Sequence, residues 1–228
     1  MKSTLYIGNR NYSSWSMRGW LLARLSGLDF EAQMIPLDTP EFKSQIQAVS
    51  PNGMVPCLHH GKNIVWDSLA IAEYLHEQFP LAGIWPRDSG QRAHARCICA
   101  EMHSGFADLR RAMPMDISTD KSGRSMPQEV QANLKRIELI WTDCRSQYGT
   151  SGEFLFGTWS GADCIYAPVV MRIHTYNVQL NAAVQQYVAA VRAQKDVAEW
   201  IAAARAEPWV IDYDGAAKAG IPRVAQRK

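Results

Sequence analysis

The residues best suited to chemistry fall in two short stretches. In the first, Asn52-Gly53-Met54-Val55-Pro56-Cys57-Leu58 leads through His59-His60-Gly61-Lys62-Asn63 and Ile64-Val65-Trp66 to Asp67-Ser68 and the apolar run Leu69-Ala70-Ile71-Ala72. Asp67 or Ser68 can cap a helix starting there. A helix start offers unpaired backbone N–H groups and a partial positive charge, which suits a carboxylate. Pro56 has no N–H and pushes Val55 towards an extended shape, so Val55 can show its own N–H and C=O to an extended peptide. The two features together would grip the main chain and the carboxylate of a small peptide. In the second stretch, the polar loop Asn9-Arg10-Asn11-Tyr12-Ser13-Ser14 runs into a helical pattern from Trp15 to Leu25, in which Trp15, Arg18, Leu22 and Leu25 recur at helical spacing. Tyr12, Ser13 and Ser14 therefore hold hydroxyls at another helix start. A proline-started hairpin with two ordinary caps is the plain alternative for both stretches.

The elements that must position these residues are legible. Thr4 to Gly8 is a short strand pattern, Gly27 closes the first helix, and Phe30 to Ile35 reads as a second strand. Val55 to Leu58 and Ile64 to Trp66 form a hairpin around Gly61, and a helix runs from Ser68 to Gln78. The order βαβ then ββα is a thioredoxin-like α/β layout. Phe79 to Pro86, with two prolines and a glycine, is the best linker, dividing the chain into residues 1–80 and 87–228. Beyond it the periodicity is helical, over Gln91 to Ala112, Pro127 to Tyr148, Ala162 to Tyr176, Ala182 to Arg192 and Val197 to Ala206, with a polar loop from Met115 to Met126. Strand signals are absent there, which predicts an all-α bundle. Ser160-Gly161-Ala162-Asp163 has the spacing of a capping box.

Composition narrows the function classes. Hydrophobic residues make up 47% of the 228 residues, ample for a buried core. A net charge of +2 from 24 basic and 22 acidic residues points to neither nucleic acid nor an anionic membrane as partner, and the basic tail from Arg223 to Lys228 is too short to alter that. Cys57, Cys97, Cys99, Cys144 and Cys164 lack metal-ligand spacing, since Cys97 and Cys99 would lie on different helix faces, so no metal site is expected. Free thiols, no signal-like N-terminus and no long apolar run predict a reduced, cytoplasmic protein.

The string Met54-Val55-Pro56-Cys57-Leu58, followed by Asp67-Ser68-Leu69-Ala70-Ile71-Ala72-Glu73-Tyr74-Leu75, resembles the glutathione-binding half of the glutathione S-transferase family. The resemblance implies a cytosolic homodimeric enzyme with glutathione as co-substrate, a thioredoxin-like domain followed by an all-helical domain, and a cis proline at Pro56. Carried over, Val55 pairs with the cysteinyl backbone of glutathione and Asp67 with Ser68 holds its γ-glutamyl end. The Ser160-to-Asp163 cap matches one that opens a buried helix in the family's second domain, where its role is in folding.

Glutathione chemistry needs a thiolate, and a free cysteine thiol has a pKa of about 8.5. Each unit of depression requires about 1.4 kcal/mol of preferential thiolate stabilisation, which a hydroxyl donor at a helix start can supply. Ser13-Ser14-Trp15-Ser16-Met17-Arg18 is similar to the Ser-Ser-Cys-Ser-x-Arg signature of zeta-class transferases, where the first serine activates the thiol. That ranks Ser13 first, Ser14 second on a theta-like register, and Tyr12 third. Trp15 stands where zeta has cysteine, and Thr175 falls where zeta has a carboxylate-binding arginine, which weakens a zeta-like isomerase reading. Arg172, one turn earlier, is expected on an exposed helix face. Serine rather than cysteine at the activating position likewise weakens a redox reading. An apolar electrophile would be met by Trp15, Met102, His103, Phe106, Arg110, Met113 and Met115, each equally assignable to core. The competing class is a non-catalytic binding protein of the same fold.

Overall fold

The computed structural model describes residues 3–212 and the backbone of 224–226. Strand β1 (Ser3–Ile7), helix α1 (Ser14–Ser26) and strand β2 (Phe30–Met34) form a parallel βαβ unit, with Ser3 beside Phe30 and Ile7 beside Met34. After a short helix α2 (Phe42–Gln47), strands β3 (Cys57–His60) and β4 (Asn63–Trp66) make an antiparallel hairpin and helix α3 (Ser68–Gln78) follows. The sheet order is β2-β1-β3-β4, with β3 antiparallel to β1. This is the thioredoxin-like layout, and α2 is the one element in it that the periodicity did not signal: six residues with a single buried one, Ile46, give no stripe to detect.

Local chemistry sets the joints. Gly27 ends α1 in the left-handed conformation at φ 76°, donating its N–H to Arg24 O. The Val55–Pro56 bond is cis. A Cβ on Gly19 would come within 2.8 Å of the Pro56 ring, so only glycine lets α1 close on that proline.

Among the described residues six helices follow the linker: α4 (Ser89–Ser104), α5 (Ala107–Ala112), α6 (Gln128–Gln147), α7 (Gly161–Thr175), α8 (Ala182–Ala193) and α9 (Lys195–Ala206). The expected single helix from Gln91 to Ala112 is broken at Gly105-Phe106, where Gly105 caps onto Glu101 O and Phe106 sits at φ 57°. The expected absence of strands beyond the linker is also corrected: β5 (Trp209–Ile211) pairs antiparallel with β6 (Val224–Gln226). Three residues on each side are too few to display a period. Arg223, Arg227 and Lys228, the basic residues of the C-terminal tail, lie outside the described residues.

Helix α7 is the axle. Every residue in it except His174 is buried, and it packs on α1, α4 and α8. The capping box is present: Asp163 accepts from Ser160 N–H at 2.9 Å and from the Ser160 hydroxyl at 2.8 Å. It also accepts from Leu155 N–H and Tyr187 O–H, both at 3.1 Å. Burial pushes the Asp163 carboxyl up to about 6 against the pull of these donors. All five cysteines are free, and only Cys97 is exposed. Among the described residues no helix is long and apolar enough to cross a membrane.

Candidate functional site

Ser13 is the N-cap of α1, in extended conformation at φ −84°. Its Oγ accepts from Ser16 N–H at 3.3 Å and bonds the Ser16 hydroxyl at 2.7 Å, while Ser16 Oγ accepts from Gly8 N–H at 2.8 Å. The three form a buried chain from the end of β1 to the start of α1. Ser14, also buried, makes no side-chain hydrogen bond to a described residue, leaving its hydroxyl free to turn. Tyr12 is buried in the same turn, where Tyr12 N–H and Ser13 N–H both donate to Asn9 O, at 3.2 and 2.8 Å.

Asp67 is the N-cap of α3, at φ 73°, with Oδ1 accepting from Leu69 N–H at 2.8 Å. Between the two possible caps the structure thus selects Asp67. Ser68, the first residue of the helix, is 1% exposed and its Oγ has no hydrogen-bond partner among the described residues. A buried orphan hydroxyl is uncommon in native structures. Strand pairing begins only at Cys57, and the Val55 N–H and C=O make no hydrogen bond among the described residues.

The structure links these stretches through two residues. The Trp15 ring packs edge-on against His103 of α4 at 5.0 Å, and His103 Nε2 reaches Asp67 Oδ2 at 3.2 Å. The first helix start, the second helix start and the first helix beyond the linker therefore meet. Val55 joins them through Pro56, which lies on Gly19 of α1.

Of the residues expected to face an electrophile, Met102, Met113 and Met115 are core, at 1% exposure or less, while Trp15, His103, Phe106 and Arg110 are half-buried. Arg172 corrects a second expectation. It is buried, donating Nε to Met113 O at 2.7 Å and Nη1 to Pro168 O at 3.1 Å. Arg18, fully buried, lies 4.4 Å from the centroid of the Trp15 ring, and Arg110 approaches the same ring at 5.8 Å. Desolvation, with Arg172 and Arg110 adding their repulsion, lowers Arg18 to about 9, and its Nε and Nη1 have no hydrogen-bond partner among the described residues. The sequence motif contained Arg18, but nothing in the spacing told that it would be dry and surrounded by like charge. Among the described residues no cluster of His, Cys, Asp or Glu could hold a metal ion.

Comparison with known proteins agrees with this arrangement. Residues 12–78 match the family described as "Glutathione S-transferase, N-terminal domain". The chain is 38% identical over 162 residues to glutathione S-transferase 1 of Dianthus caryophyllus, covering 67% of this chain and 71% of that one. It is 27% identical over 184 residues to a probable maleylacetoacetate isomerase of Caenorhabditis elegans, covering 79% and 83%. Among solved structures, a glutathione transferase homolog from Burkholderia with bound glutathione superposes with a TM-score of 0.67 at 28% identity, covering 90% of this chain and 98% of that one. On this fold, sequence likeness and arrangement, the chain belongs to the glutathione S-transferase family and is a glutathione-dependent enzyme.

Proposed function

We propose that this enzyme is a serine-type glutathione transferase, in which Ser13 holds the glutathione thiolate for attack on an apolar electrophile and Ser14 stands beside it as the second hydroxyl. The observation that carries the reading is the Gly8-to-Ser16-to-Ser13 chain. Hydroxyl protons rotate freely, so Ser16 can donate to Ser13 as readily as accept. In that orientation Ser13 accepts twice, from Ser16 N–H and O–H, and its own proton points outward to a thiolate. Chained hydrogen bonds polarise one another, strengthening the terminal donor.

The residues present fit glutathione. The partnerless Val55 amide suits the cysteinyl backbone, and the orphan Ser68 hydroxyl with the open start of α3 suits the γ-glutamyl carboxylate. Asp67 Oδ2 suits the neighbouring ammonium. The electrophile then lies against Trp15, Phe106 and Arg110, between residues 1–80 and 87–228, which we propose as the two domains.

A second reading, zeta-like isomerisation of an anionic substrate, is favoured by one observation: Arg18 and Arg110 both approach the Trp15 ring, and Arg172 is close enough to add its repulsion at Arg18. The relatives named maleylacetoacetate isomerase in Caenorhabditis elegans and Rattus norvegicus support it. We further propose a cytoplasmic homodimer whose partners are glutathione and a small molecule rather than nucleic acid or membrane. Sedimentation showing only a 25.6 kDa species would remove the dimer.

Conjugation of glutathione to a generic aryl halide across pH, in wild type, Ser13→Ala and Ser14→Ala, tests the main reading. It predicts loss of rate in Ser13→Ala with glutathione binding kept. A wild type that binds glutathione yet does not conjugate turns the assignment to the isomerase.

A further inference from the structure

The turn that presents Ser13 is held from the far end of the chain. Glu207, the residue that ends α9, accepts from Arg10 N–H at 2.8 Å and, more loosely, from Asn11 N–H at 3.5 Å. Trp200, one face of α9 earlier, donates its indole N–H to Arg10 O at 3.0 Å. The Asn11 side chain is taken by a third segment, donating to Asp116 Oδ1 at 3.0 Å and accepting from Ser118 N–H at 2.9 Å. Asn9 O in turn accepts from both Tyr12 N–H and Ser13 N–H. The main chain from Asn9 to Asn11 therefore has little freedom, and its position is passed from Asn9 O to the N–H groups of Tyr12 and Ser13.

Glu207 is an unfavourable residue for that place on any other ground. A carboxylate at a helix C-terminus meets the negative end of the dipole. It is 8% exposed, and burial raises its carboxyl above the ordinary glutamate range. Among the described residues the cation within reach is Arg10 itself, whose Nη1 stands off at 3.7 Å. A surface ion pair would not repay those penalties. The return lies in the two amides it fixes, with the Asn9 side chain of the same turn as a further donor.

We infer that Glu207 is a positioning residue for thiol activation, holding the Arg10-Asn11 peptide from α9 so that Ser13 meets the glutathione sulfur at donor distance. This rests on the transferase reading. It explains why the active-site turn, within the first 14 residues of the chain, is completed only when α9 has docked.

The test is Glu207→Gln, which keeps the shape but replaces one acceptor oxygen with an NH2 facing the amide. The readouts are the pKa of enzyme-bound glutathione, kcat, KM for glutathione and the melting curve. Clamping predicts a bound thiol pKa shifted back towards that of free glutathione and kcat lower by about tenfold, since sub-ångström misplacement of a catalytic group is enough for that. KM stays within about twofold, because Val55, Asp67 and Ser68 are untouched. Trp200→Phe, which removes the other bond to the same peptide, should move the thiol pKa in the same direction. An unchanged thiol pKa in folded Glu207→Gln overturns the inference, as does a rate loss that merely follows the fraction unfolded. If Ser13→Ala leaves the thiol pKa of wild type unchanged, the transferase reading fails first and the clamp's catalytic role fails with it; if only Glu207→Gln is silent, the clamp fails alone.

Discussion

His103 Nε2 lies 3.2 Å from Asp67 Oδ2, joining the first helix beyond the linker to the cap of α3. The same imidazole carries the edge of Trp15, so one side chain sets the distance between the two helix starts. His103 Nδ1 is buried without a partner among the described residues, so the ring's polar contact is the one from Nε2 to the carboxylate.

Loss of that donor should weaken glutathione capture. His103→Ala is expected to raise KM for glutathione about fivefold, the equivalent of about 1 kcal/mol for a partly exposed pair. His103→Gln, which retains an N–H donor, should recover most of it. Steady-state kinetics with glutathione as the varied substrate checks this, and an unchanged KM in His103→Ala would detach His103 from the site.

Asp163 governs stability rather than chemistry. Its carboxylate is fully buried with four donors on it, so Asp163→Ala leaves them unpaired. The expected loss is about 3 kcal/mol or more, beyond the ~1 kcal/mol of a simple cap. Urea unfolding of the variant measures it.

The same carboxyl makes a pH slope. An ordinary aspartate titrates at about 3.9 when unfolded, whereas Asp163 is pushed up to about 6 in the fold. Between those values the native state holds a proton that the unfolded chain releases. The Asp163 contribution to stability is therefore greatest below about pH 4 and falls as pH rises towards 6, by up to about 1.4 kcal/mol per unit. In Asp163→Asn that part of the slope should vanish, as unfolding curves recorded between pH 4 and 7 would show.

Arg18 predicts a trade of stability against rate. Replacing an unpaired buried cation by an apolar side chain of similar length relieves its desolvation, so Arg18→Met should unfold at least as late as wild type. It should also raise the pKa of bound glutathione, because a positive charge one turn into α1 is removed. A variant that melts much earlier, with the thiol pKa unmoved, would make Arg18 a packing residue whose contact with Trp15 is its main contribution.

How far the sequence could be read followed from the range of each interaction. The βαβ-hairpin-helix order, the Ser68 to Gln78 helix and the Ser160–Asp163 box were legible because turn residues, caps and apolar periods act within a few positions. The helix break at Gly105-Phe106 was missed because a glycine inside an otherwise periodic run is tolerated in many helices. Ser13, Ser14, Val55, Asp67 and Ser68 could be named from two local motifs. What joins them could not. His103 with Asp67 spans the linker, Glu207 with Arg10 spans nearly the whole chain, and the burial of Arg18 and Arg172 depends on three helices closing at once. Such partners leave no spacing to find.

The account turns on one quantity, the pKa of the glutathione thiol on the enzyme, read from thiolate ultraviolet absorbance across pH in wild type, Ser13→Ala and Ser14→Ala. The account predicts a wild-type value clearly below the about 8.5 of a free thiol, returned most of the way by Ser13→Ala and less by Ser14→Ala. A depressed value that neither substitution moves would contradict serine activation and transfer the task to another group at the start of α1.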